Sequence, residues 1–315
     1  MRGLVIRSTG SWYEVQVEGK IFKCRLKGKF RMGNMKLTNP VAVGDYVTIQ
    51  KEDEGDDNIG TITDIEVRKN YVIRQSPRKK HYLHILASNI DHALLIVTIS
   101  HPKLKQGFID RFLLMTAPYN IPVTIIFNKS DLYKEEDLAV FEYLQDIYNQ
   151  IGYQSILSSA IDGNGIEEIK AIMKDQICLV SGQSGVGKSS IINHIQPNLE
   201  LKTGELSDYM GKGQHTTTFA EMFELDFGGK IIDTPGIKTL SYNHLEVMDI
   251  AHNFKEFFEA SSACKFANCT HRNEPKCAVK DKLVSGEISE LRYFNYLSII
   301  EETEDQNYWE RNVDY

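Results

Sequence analysis

Hydrophobic and polar positions change their pattern along this chain. Over residues 1–68, short stretches of alternating apolar and polar residues are separated by glycines, which is typical of β-strands joined by tight turns. The alternation predicts strands over residues 12–17, 20–26, 45–50 and 60–67. About five short strands in so few residues favour a small barrel, and an OB-fold is the best match.

From residue 90 onward, continuous apolar runs are followed by stretches with helical spacing. Continuous apolar runs are typical of strands that are buried on both faces of a parallel sheet, so an α/β domain is expected. Residues 69–89 are basic and contain Pro77, and they are predicted to form a linker. The predicted strands cover residues 90–99, 123–127, 177–180, 218–225 and 229–232, and the predicted helices cover 108–116, 135–148, 189–195 and 278–300.

Charge is unevenly distributed along the chain, whose net charge is −7. Residues 1–36 carry nine Lys and Arg against two Glu, whereas the last fifteen residues carry six acids against one Arg. A basic module on an acidic chain suggests a local polyanion site, and a normally solvated surface is the alternative. Aromatic residues among these basic ones would suit either stacking on single-stranded nucleic acid or the barrel core: Trp12, Tyr13, Phe22 and Phe30.

Composition excludes several classes of protein. The first residues contain no apolar run of signal-peptide length, and the apolar stretch near residues 93–99 is too short to span a bilayer, so a cytoplasmic protein is expected. The five cysteines then indicate a metal site or free thiols rather than disulfides. The acidic loop at residues 52–57 lacks the ligand spacing of an EF-hand, so no calcium site is expected there.

Residues 182–190, Gly-Gln-Ser-Gly-Val-Gly-Lys-Ser-Ser, match the phosphate-loop pattern G-x-x-x-x-G-K-[ST]. They lie between a predicted buried strand and a predicted helix, which is the context that the motif requires. Glycines allow backbone N–H groups to turn inward around phosphates, Lys188 would reach the β- and γ-phosphates, and the Ser189 hydroxyl would bind Mg²⁺. The alternative is a glycine-rich turn that binds nothing.

A second motif, Asn128-Lys129-Ser130-Asp131, follows the predicted strand at 123–127 and matches N-K-x-D, the guanine-reading motif of GTPases. The Asp131 carboxylate can accept hydrogen bonds from the N1–H and 2-amino groups of guanine, which adenine does not offer. Lys129 would pack along the base, and Asn128 would tie this loop to the phosphate loop. Alone, the motif is short and could instead start the following helix, with Ser130 or Asp131 as its N-cap.

Three more segments would complete a guanine nucleotide site. Residues 158–160 resemble the weaker motif whose backbone contacts guanine O6. Residues 201–213 are polar and glycine-bearing, which suits a mobile loop, and a threonine of the segment 211–218 would sense the γ-phosphate through Mg²⁺. Thr217 is taken for this role, although the sequence does not choose among Thr216, Thr217 and Thr218. Asp233 opens a D-x-x-G motif, in which it would hold the Mg²⁺ shell while the Gly236 N–H meets the γ-phosphate.

These motifs occur in an unusual order. Familiar GTPases run from the phosphate loop through D-x-x-G to N-K-x-D, whereas here N-K-x-D comes first, which indicates a circular permutation of one nucleotide site. The predicted Mg²⁺ ligands are Ser189, Thr217 and Asp233. The predicted nucleotide-binding residues are Asn128, Lys129, Ser130, Asp131, Ser158, Ser159, Ala160, Gly182, Gln183, Ser184, Gly185, Val186, Gly187, Lys188, Ser189, Ser190, Asp233 and Gly236.

A cysteine-rich tail provides four candidate metal ligands within fourteen residues: Cys264, Cys269, His271 and Cys277. Three thiols and an imidazole suit a closed tetrahedral Zn²⁺ site that leaves no position open for catalysis. Free thiols are the alternative. Cys24 and Cys178 have no candidate ligands nearby in the sequence and are expected in the core.

The ordered motifs, the basic β-rich front and the cysteine-rich tail together resemble the RsgA (YjeQ/YloQ) family of GTPases that depend on the small ribosomal subunit. The resemblance implies a multidomain chain, with an OB-fold RNA-binding domain at residues 1–70, a circularly permuted P-loop GTPase domain at 71–243 and a mainly α zinc-binding domain at 244–315. It implies GTP/GDP, one Mg²⁺ and one structural Zn²⁺ as cofactors. It also implies that the 30S subunit and its 16S rRNA bind the chain and stimulate GTP hydrolysis during late subunit maturation.

Ile237 follows D-x-x-G at a position where many GTPases place a glutamine that orients the attacking water. The resemblance points to His215 as the residue that orients the water. Lys188 of the phosphate loop is the second predicted catalytic residue. An RNA-bound scaffold for which the nucleotide is only a regulatory ligand stays open as an alternative, and an ATP-using RNA remodeller conflicts with Asp131. A monomer and competition by guanine alarmones, (p)ppGpp, are further expectations.

Overall fold

A computed structural model describes residues 1–28, 38–52, 58–75, 83–199, 220–233 and 245–312. The first part is a closed barrel built from the strands β1 (Arg2–Ser8), β2 (Tyr13–Val17), β3 (Lys20–Leu26), β4 (Tyr46–Lys51) and β5 (Ile59–Ile65). Neighbouring strands of the barrel pair antiparallel, except for β3 and β5, which pair in parallel. Strand β4 pairs with β1 and so closes the five-stranded barrel. The predicted OB-fold barrel is confirmed, although the alternation had not indicated its first strand.

The barrel interior decides between the two roles considered for the aromatic residues. Tyr13 and Phe22 are buried with the aliphatic side chains of the barrel core, so the stacking alternative is wrong for both. Trp12 is half-buried, and the Arg25 guanidinium lies 4.0 Å from the centre of its ring. Phe30 lies outside the described residues. Cys24 is fully buried in this core, as expected.

The prediction of a linker over residues 69–89 is wrong. The strands β6 (Tyr71–Gln75) and β7 (Leu83–Ser88) form an antiparallel hairpin there. The short apolar stretches 72–73 and 85–87 are buried in apolar clusters that also contain Leu4 of β1 and residues 42–43, which precede β4. The carboxylate of Asp45 fixes this contact, since it is fully buried and accepts hydrogen bonds from Arg68 Nε at 2.6 Å and from Ser88 Oγ at 2.6 Å.

The central part is a sheet that is covered by helices on both faces. Its strands lie in the order β10 (Gln154–Leu157), β9 (Val123–Phe127), β8 (His92–Val97), β11 (Ile177–Gly182), β13 (Lys230–Asp233) and β12 (Glu221–Glu224), all parallel except β12. The helices α1 (Phe108–Thr116) and α2 (Glu135–Gln150) contribute to the apolar cluster on one face. The helices α3 (Ile166–Met173) and α4 (Lys188–Ile195) contribute to the cluster on the other.

Short 3₁₀ turns interrupt the loops of this central part at Ala117–Tyr119, Ser130–Leu132 and Pro197–Leu199. Strand β12 also pairs with β1 of the barrel through Glu221 and Arg7, so the two sheets are continuous. Because β8, β9, β10, β11 and β13 run parallel, the loops that follow them meet at one edge of the sheet.

The C-terminal part contains α5 (Val247–Asn253), α6 (Lys255–Ser261), α7 (Ala278–Val284) and α8 (Glu290–Asn312). The single helix predicted over residues 278–300 is therefore wrong, because Gly286 has a φ of 80° and the chain turns between α7 and α8. Aromatic rings form the centre of this part, and the ring centroids of Phe257 and Tyr296 are 4.8 Å apart. None of the helices within the described ranges is both long enough and apolar enough to cross a membrane.

A buried ionic network joins the C-terminal part to the central part. Asp110 on α1 is fully buried and accepts hydrogen bonds from Tyr148, from Asn295 and from Arg292 Nη1, the last at 2.6 Å. Arg292 on α8 also donates to both carboxylate oxygens of Glu256, at 2.7 and 2.9 Å. Its guanidinium lies within a shell of polar partners, which is the condition under which a buried charge is tolerated.

Replacing Arg292 by methionine preserves much of the side-chain length but leaves two carboxylates, those of Asp110 and Glu256, without their shared cation. Removing one partner of a buried ion pair lowers the free energy of unfolding by about 3–5 kcal/mol. We therefore expect a clearly lower urea midpoint for Arg292→Met than for the wild type. Arg2→Met is the matched control, because it removes the exposed pair with Glu66 and should barely change the midpoint. Equal midpoints for the two variants would contradict a structural role of the network.

Candidate functional site

The phosphate loop lies between the end of β11 and the start of α4. Gly182 has a φ of 154°, and a Cβ atom there would lie 2.1 Å from the carbonyl oxygen of Ile96. Gly187 has a φ of 91°, and a Cβ atom there would lie 2.3 Å from Asn128 Nδ2. Both positions therefore require glycine, the first because of the neighbouring strand and the second because of the guanine motif.

Lys188 lies at the first position of α4, where the helix N-terminus contributes positive potential. Its ammonium group donates to the carbonyl oxygens of Gly182 at 2.9 Å and Gln183 at 2.8 Å, so it lies across the loop. Ser189 follows it and is buried. The loop thus combines backbone amides, a helix N-terminus and a cation, which is the usual arrangement for binding phosphate groups.

The Asn128-Lys129-Ser130-Asp131 segment begins where β9 ends, beside the phosphate loop. The amide of Asn128 donates to the carbonyl oxygen of Val186 at 2.8 Å, and its Oδ1 accepts from Ser158 Oγ at 3.2 Å. Asn128 is buried, with 1% of its surface exposed. One side chain therefore connects three loops of the candidate site.

The segment 158–160 is oriented by side chains on both of its sides. Ser159 Oγ donates to the Asp131 carboxylate at 2.7 Å and accepts from the N–H groups of Ile161 and Asp162. On the other side, His194 Nδ1 of α4 lies 2.9 Å from the carbonyl oxygen of Ala160. Sequence reasoning did not identify His194, because a histidine on an otherwise ordinary helix gives no motif.

Asp233 ends β13, where it pairs in register with Val180 of β11 beside the phosphate loop. Burial raises the pKa of its carboxyl to about 6, and the nearby Lys188 cation lowers it in part. A carboxylate held in such a desolvated position is more stable with a cation beside it, and carboxylate and hydroxyl oxygens are the ligands that Mg²⁺ prefers. The donor set of Asp233 and Ser189 therefore fits the predicted Mg²⁺ site.

The structure brings the described members of the predicted nucleotide site to one edge of the sheet, at the ends of β9, β10, β11 and β13. The predicted Mg²⁺ ligand Thr217, its alternatives Thr216 and Thr218, and Gly236 lie outside the described residues. So do His215, which is predicted to orient the attacking water, and Ile237.

The four cysteine and histidine ligands predicted for zinc form one compact cluster. The candidate ligand atoms of Cys264, Cys269, His271 and Cys277 all lie within 4.8 Å of one another. His271 Nδ1 lies 3.7 Å from Cys264 Sγ and 3.4 Å from Cys277 Sγ. A tetrahedral zinc site with ordinary bond lengths separates nitrogen and sulfur ligands by roughly 3.6 Å, so the cluster fits Zn²⁺.

Sequence reasoning missed Glu274, which organises the loop that carries these ligands. Its carboxylate accepts hydrogen bonds from the backbone N–H and hydroxyl of Thr270, at 2.7 and 2.6 Å, and from the N–H of Arg272 at 2.8 Å. Partial burial raises the pKa of Glu274, but these hydrogen bonds outweigh it and lower the pKa from 4.5 to about 2. The ionised carboxylate thus stabilises the loop above about pH 4.5, and this stabilisation is lost as the pH falls towards 2.

Two family models match the chain. The RsgA N-terminal domain matches residues 2–62, and the RsgA GTPase model matches residues 65–243. The chain belongs to the RsgA GTPase family. The resemblance of its ordered motifs to this family is confirmed, and the chain is a GTPase.

Individual relatives of this RsgA-family chain are similar over nearly its whole length. The small ribosomal subunit biogenesis GTPase RsgA of Phocaeicola vulgatus is 49% identical over 98% of this chain and 99% of its own length. The protein of the same name from Flavobacterium psychrophilum is 48% identical over 98% of this chain and 94% of its own.

Solved structures agree with this assignment. The crystal structure of YjeQ from Thermotoga maritima matches with a TM-score of 0.75 and 36% identity, over 96% of this chain and 98% of that one. The structure of YloQ, described as a circularly permuted GTPase, matches with a TM-score of 0.72 and 29% identity, over 97% of this chain and 95% of that one. The predicted permuted GTPase fold is therefore confirmed.

Replacing Glu274 by glutamine removes the charge that holds the N–H groups of Thr270 and Arg272 in place. Outer partners of metal ligands contribute about tenfold or more to metal affinity. We expect the zinc-loaded Glu274→Gln protein to release zinc to a coloured chelator about tenfold faster than the wild type.

Glu287→Gln is the matched control for that measurement. The Glu287 carboxylate also accepts a hydrogen bond, from Ser285 Oγ at 2.8 Å, but Glu287 lies outside the loop that contains the candidate metal ligands. Release at the wild-type rate from both variants would contradict a role of Glu274 in the metal loop.

Proposed function

We propose that this chain hydrolyses GTP to GDP and phosphate, that the small (30S) ribosomal subunit stimulates the reaction, and that the chain acts late in maturation of that subunit. The observation that carries the proposal is the hydrogen bond from Asn128 to Val186, which joins a guanine-type loop to a phosphate loop. The two relatives described above are named for small ribosomal subunit biogenesis, which supports the ribosomal part of the proposal.

The base would be recognised by the loop after β9. Asp131 would accept hydrogen bonds from the N1–H and 2-amino groups of guanine, in an orientation supported by Ser159. Adenine offers no matching donors and would leave a charged acceptor unsatisfied, so the site would discriminate strongly against ATP. Lys129 would pack along the base, and residues 158–160 would present backbone groups to its O6 edge.

The phosphates would lie on residues 182–190 at the N-terminus of α4. Lys188 would exchange its contacts with the loop carbonyls for contacts with the β- and γ-phosphates. Ser189, Thr217 and Asp233 would hold Mg²⁺, which supplies positive charge against the phosphate oxygens during transfer. Gly236 would donate its N–H to the γ-phosphate.

The attacking water requires a residue other than Ile237, because an aliphatic side chain cannot form a hydrogen bond with it. His215 is proposed for this role, on the strength of the family resemblance alone. An imidazole near neutral pH can accept a proton from water or orient it, and such assistance contributes roughly 10²–10⁴ in rate.

The two outer parts would bind the ribosomal subunit. Trp12 with its stacked Arg25 offers a cation and a ring at the barrel surface, which suits single-stranded regions of 16S rRNA. Among the basic residues near the zinc cluster, Arg272 pairs with Glu304 and Lys282 with Glu287, so these two contribute less net charge to a contact. Lys265, Lys276 and Lys280 complete the basic surface considered for rRNA.

We also propose the division into a barrel domain at residues 1–70, a GTPase domain at 71–243 and a structural zinc domain at 244–315. The chain would act in the cytoplasm, where ribosomal subunits mature, and as a monomer on each subunit. Guanine alarmones such as (p)ppGpp carry the same base and would compete with GTP for the site.

The proposal is tested by multiple-turnover GTP hydrolysis with and without purified small ribosomal subunits. Slow turnover alone and strong stimulation by subunits are expected for the wild type. His215→Ala should lose roughly 10²-fold or more of the stimulated rate while it retains nucleotide binding.

The outcomes of this assay separate the alternatives. Stimulation that survives His215→Ala would transfer the role of orienting the water to another residue or to the ribosome. No stimulation of the wild type would contradict the proposal and favour a nucleotide-bound scaffold.

A further inference from the structure

The guanine-type loop contains one residue with an unfavourable backbone conformation. Lys129 has a φ of 66° and a ψ of 37°, in the left-handed region that a long side chain rarely adopts. Such a conformation persists only where the surrounding structure holds it in place. The groups that hold the peptide between Asn128 and Lys129 therefore determine where the Lys129 and Asp131 side chains lie.

The other groups of Asn128 are already engaged. Its N–H donates to the carbonyl oxygen of Val97 at 2.8 Å, and its side chain is held by Val186 and Ser158. Its carbonyl oxygen belongs to the peptide that leads into Lys129, and the Tyr133 hydroxyl donates to this oxygen at 2.9 Å. The orientation of that carbonyl is coupled to the φ of Lys129, because the planar peptide unit rotates about the N–Cα bond of Lys129 on one side and the Cα–C bond of Asn128 on the other.

Tyr133 is well placed to fix this carbonyl. It follows the 3₁₀ turn Ser130–Leu132 in an extended conformation, with a φ of −78° and a ψ of 133°, and its ring packs against the main apolar core. Its hydroxyl also accepts the N–H of Ile99 at 2.9 Å, so both hydrogen-bonding directions are used. Burial raises its pKa to about 12, so the hydroxyl keeps the proton that it donates at physiological pH.

We propose that Tyr133 is a positioning residue of the guanine site: its hydroxyl holds the Asn128–Lys129 peptide against the loop at Ile99 and so orients the side chains that read the base. This inference rests on the proposed role of Asp131 in guanine recognition. The phenol ring supplies packing, and the hydroxyl supplies the orientation.

The test compares GDP with IDP, which lacks the 2-amino group, by calorimetric titration of the full-length protein. Tyr133→Phe keeps the ring and removes only the hydroxyl. We expect its GDP affinity to fall about tenfold and its IDP affinity to fall less, because a displaced Asp131 loses the contact with the 2-amino group that IDP never makes. Tyr143→Phe, on the exposed side of α2, is the matched control and should bind both nucleotides like the wild type.

Asp131→Asn distinguishes failure of the inference from failure of the function on which it rests. If Asp131→Asn changes the GDP-to-IDP preference and Tyr133→Phe binds both nucleotides like the wild type, the inference is wrong and the base site stands. If Tyr133→Phe weakens GDP and IDP equally, the hydroxyl supports the loop in general and the positioning role is also wrong. If Asp131→Asn leaves the preference unchanged, the proposed base recognition itself fails.

Discussion

The side-chain amide of Asn128 donates a 2.8 Å hydrogen bond to the carbonyl of Val186, a residue 58 positions later in the chain. This contact is possible only because β9 and β11 are parallel and lie on either side of β8, so that the loops after them meet at one edge. It also explains why Gly187 must lack a side chain, since a Cβ atom there would overlap the same amide. A circular permutation leaves this constraint intact, because it changes the order of the loops along the chain and not their positions in the sheet.

The site lies between two modules that are attached to the sheet in different ways. The barrel continues the sheet through the pairing of β1 with β12, and the buried Asp45 binds the hairpin of β6 and β7 to the barrel. The C-terminal part is attached through Asp110 and Arg292, which are deeply buried. Asp110 lies on α1, the helix that follows the loop whose Ile99 N–H is bound by Tyr133. A short series of packed elements therefore connects the guanine-type loop with the part that contains the cysteine and histidine cluster.

The parts of this molecule that could be predicted from sequence are those determined by local pattern. Helix α1 and strand β9 have the predicted bounds, and the four predicted metal ligands lie in one cluster. The missed features depend on distant partners. The hairpin of β6 and β7 was hidden by a basic, proline-containing stretch, and the pair of Asp110 and Arg292 spans 182 positions. Tyr133 and Glu274 act through hydrogen bonds to backbone groups, which leave no periodicity or motif in a sequence.

The central claim is that separate loops form one site for a guanine base. Calorimetric titration of the wild-type protein with GDP and with ADP, each in the presence of Mg²⁺, tests it most directly. One GDP is expected to bind per chain, and the affinity for ADP is expected to be lower by about 10⁴-fold. Discrimination of this size is found in sites whose polar group forms a hydrogen bond with one substrate and is left without a partner by the other. Comparable affinities for GDP and ADP would contradict the claim, because Asp131 would then not be reading the base.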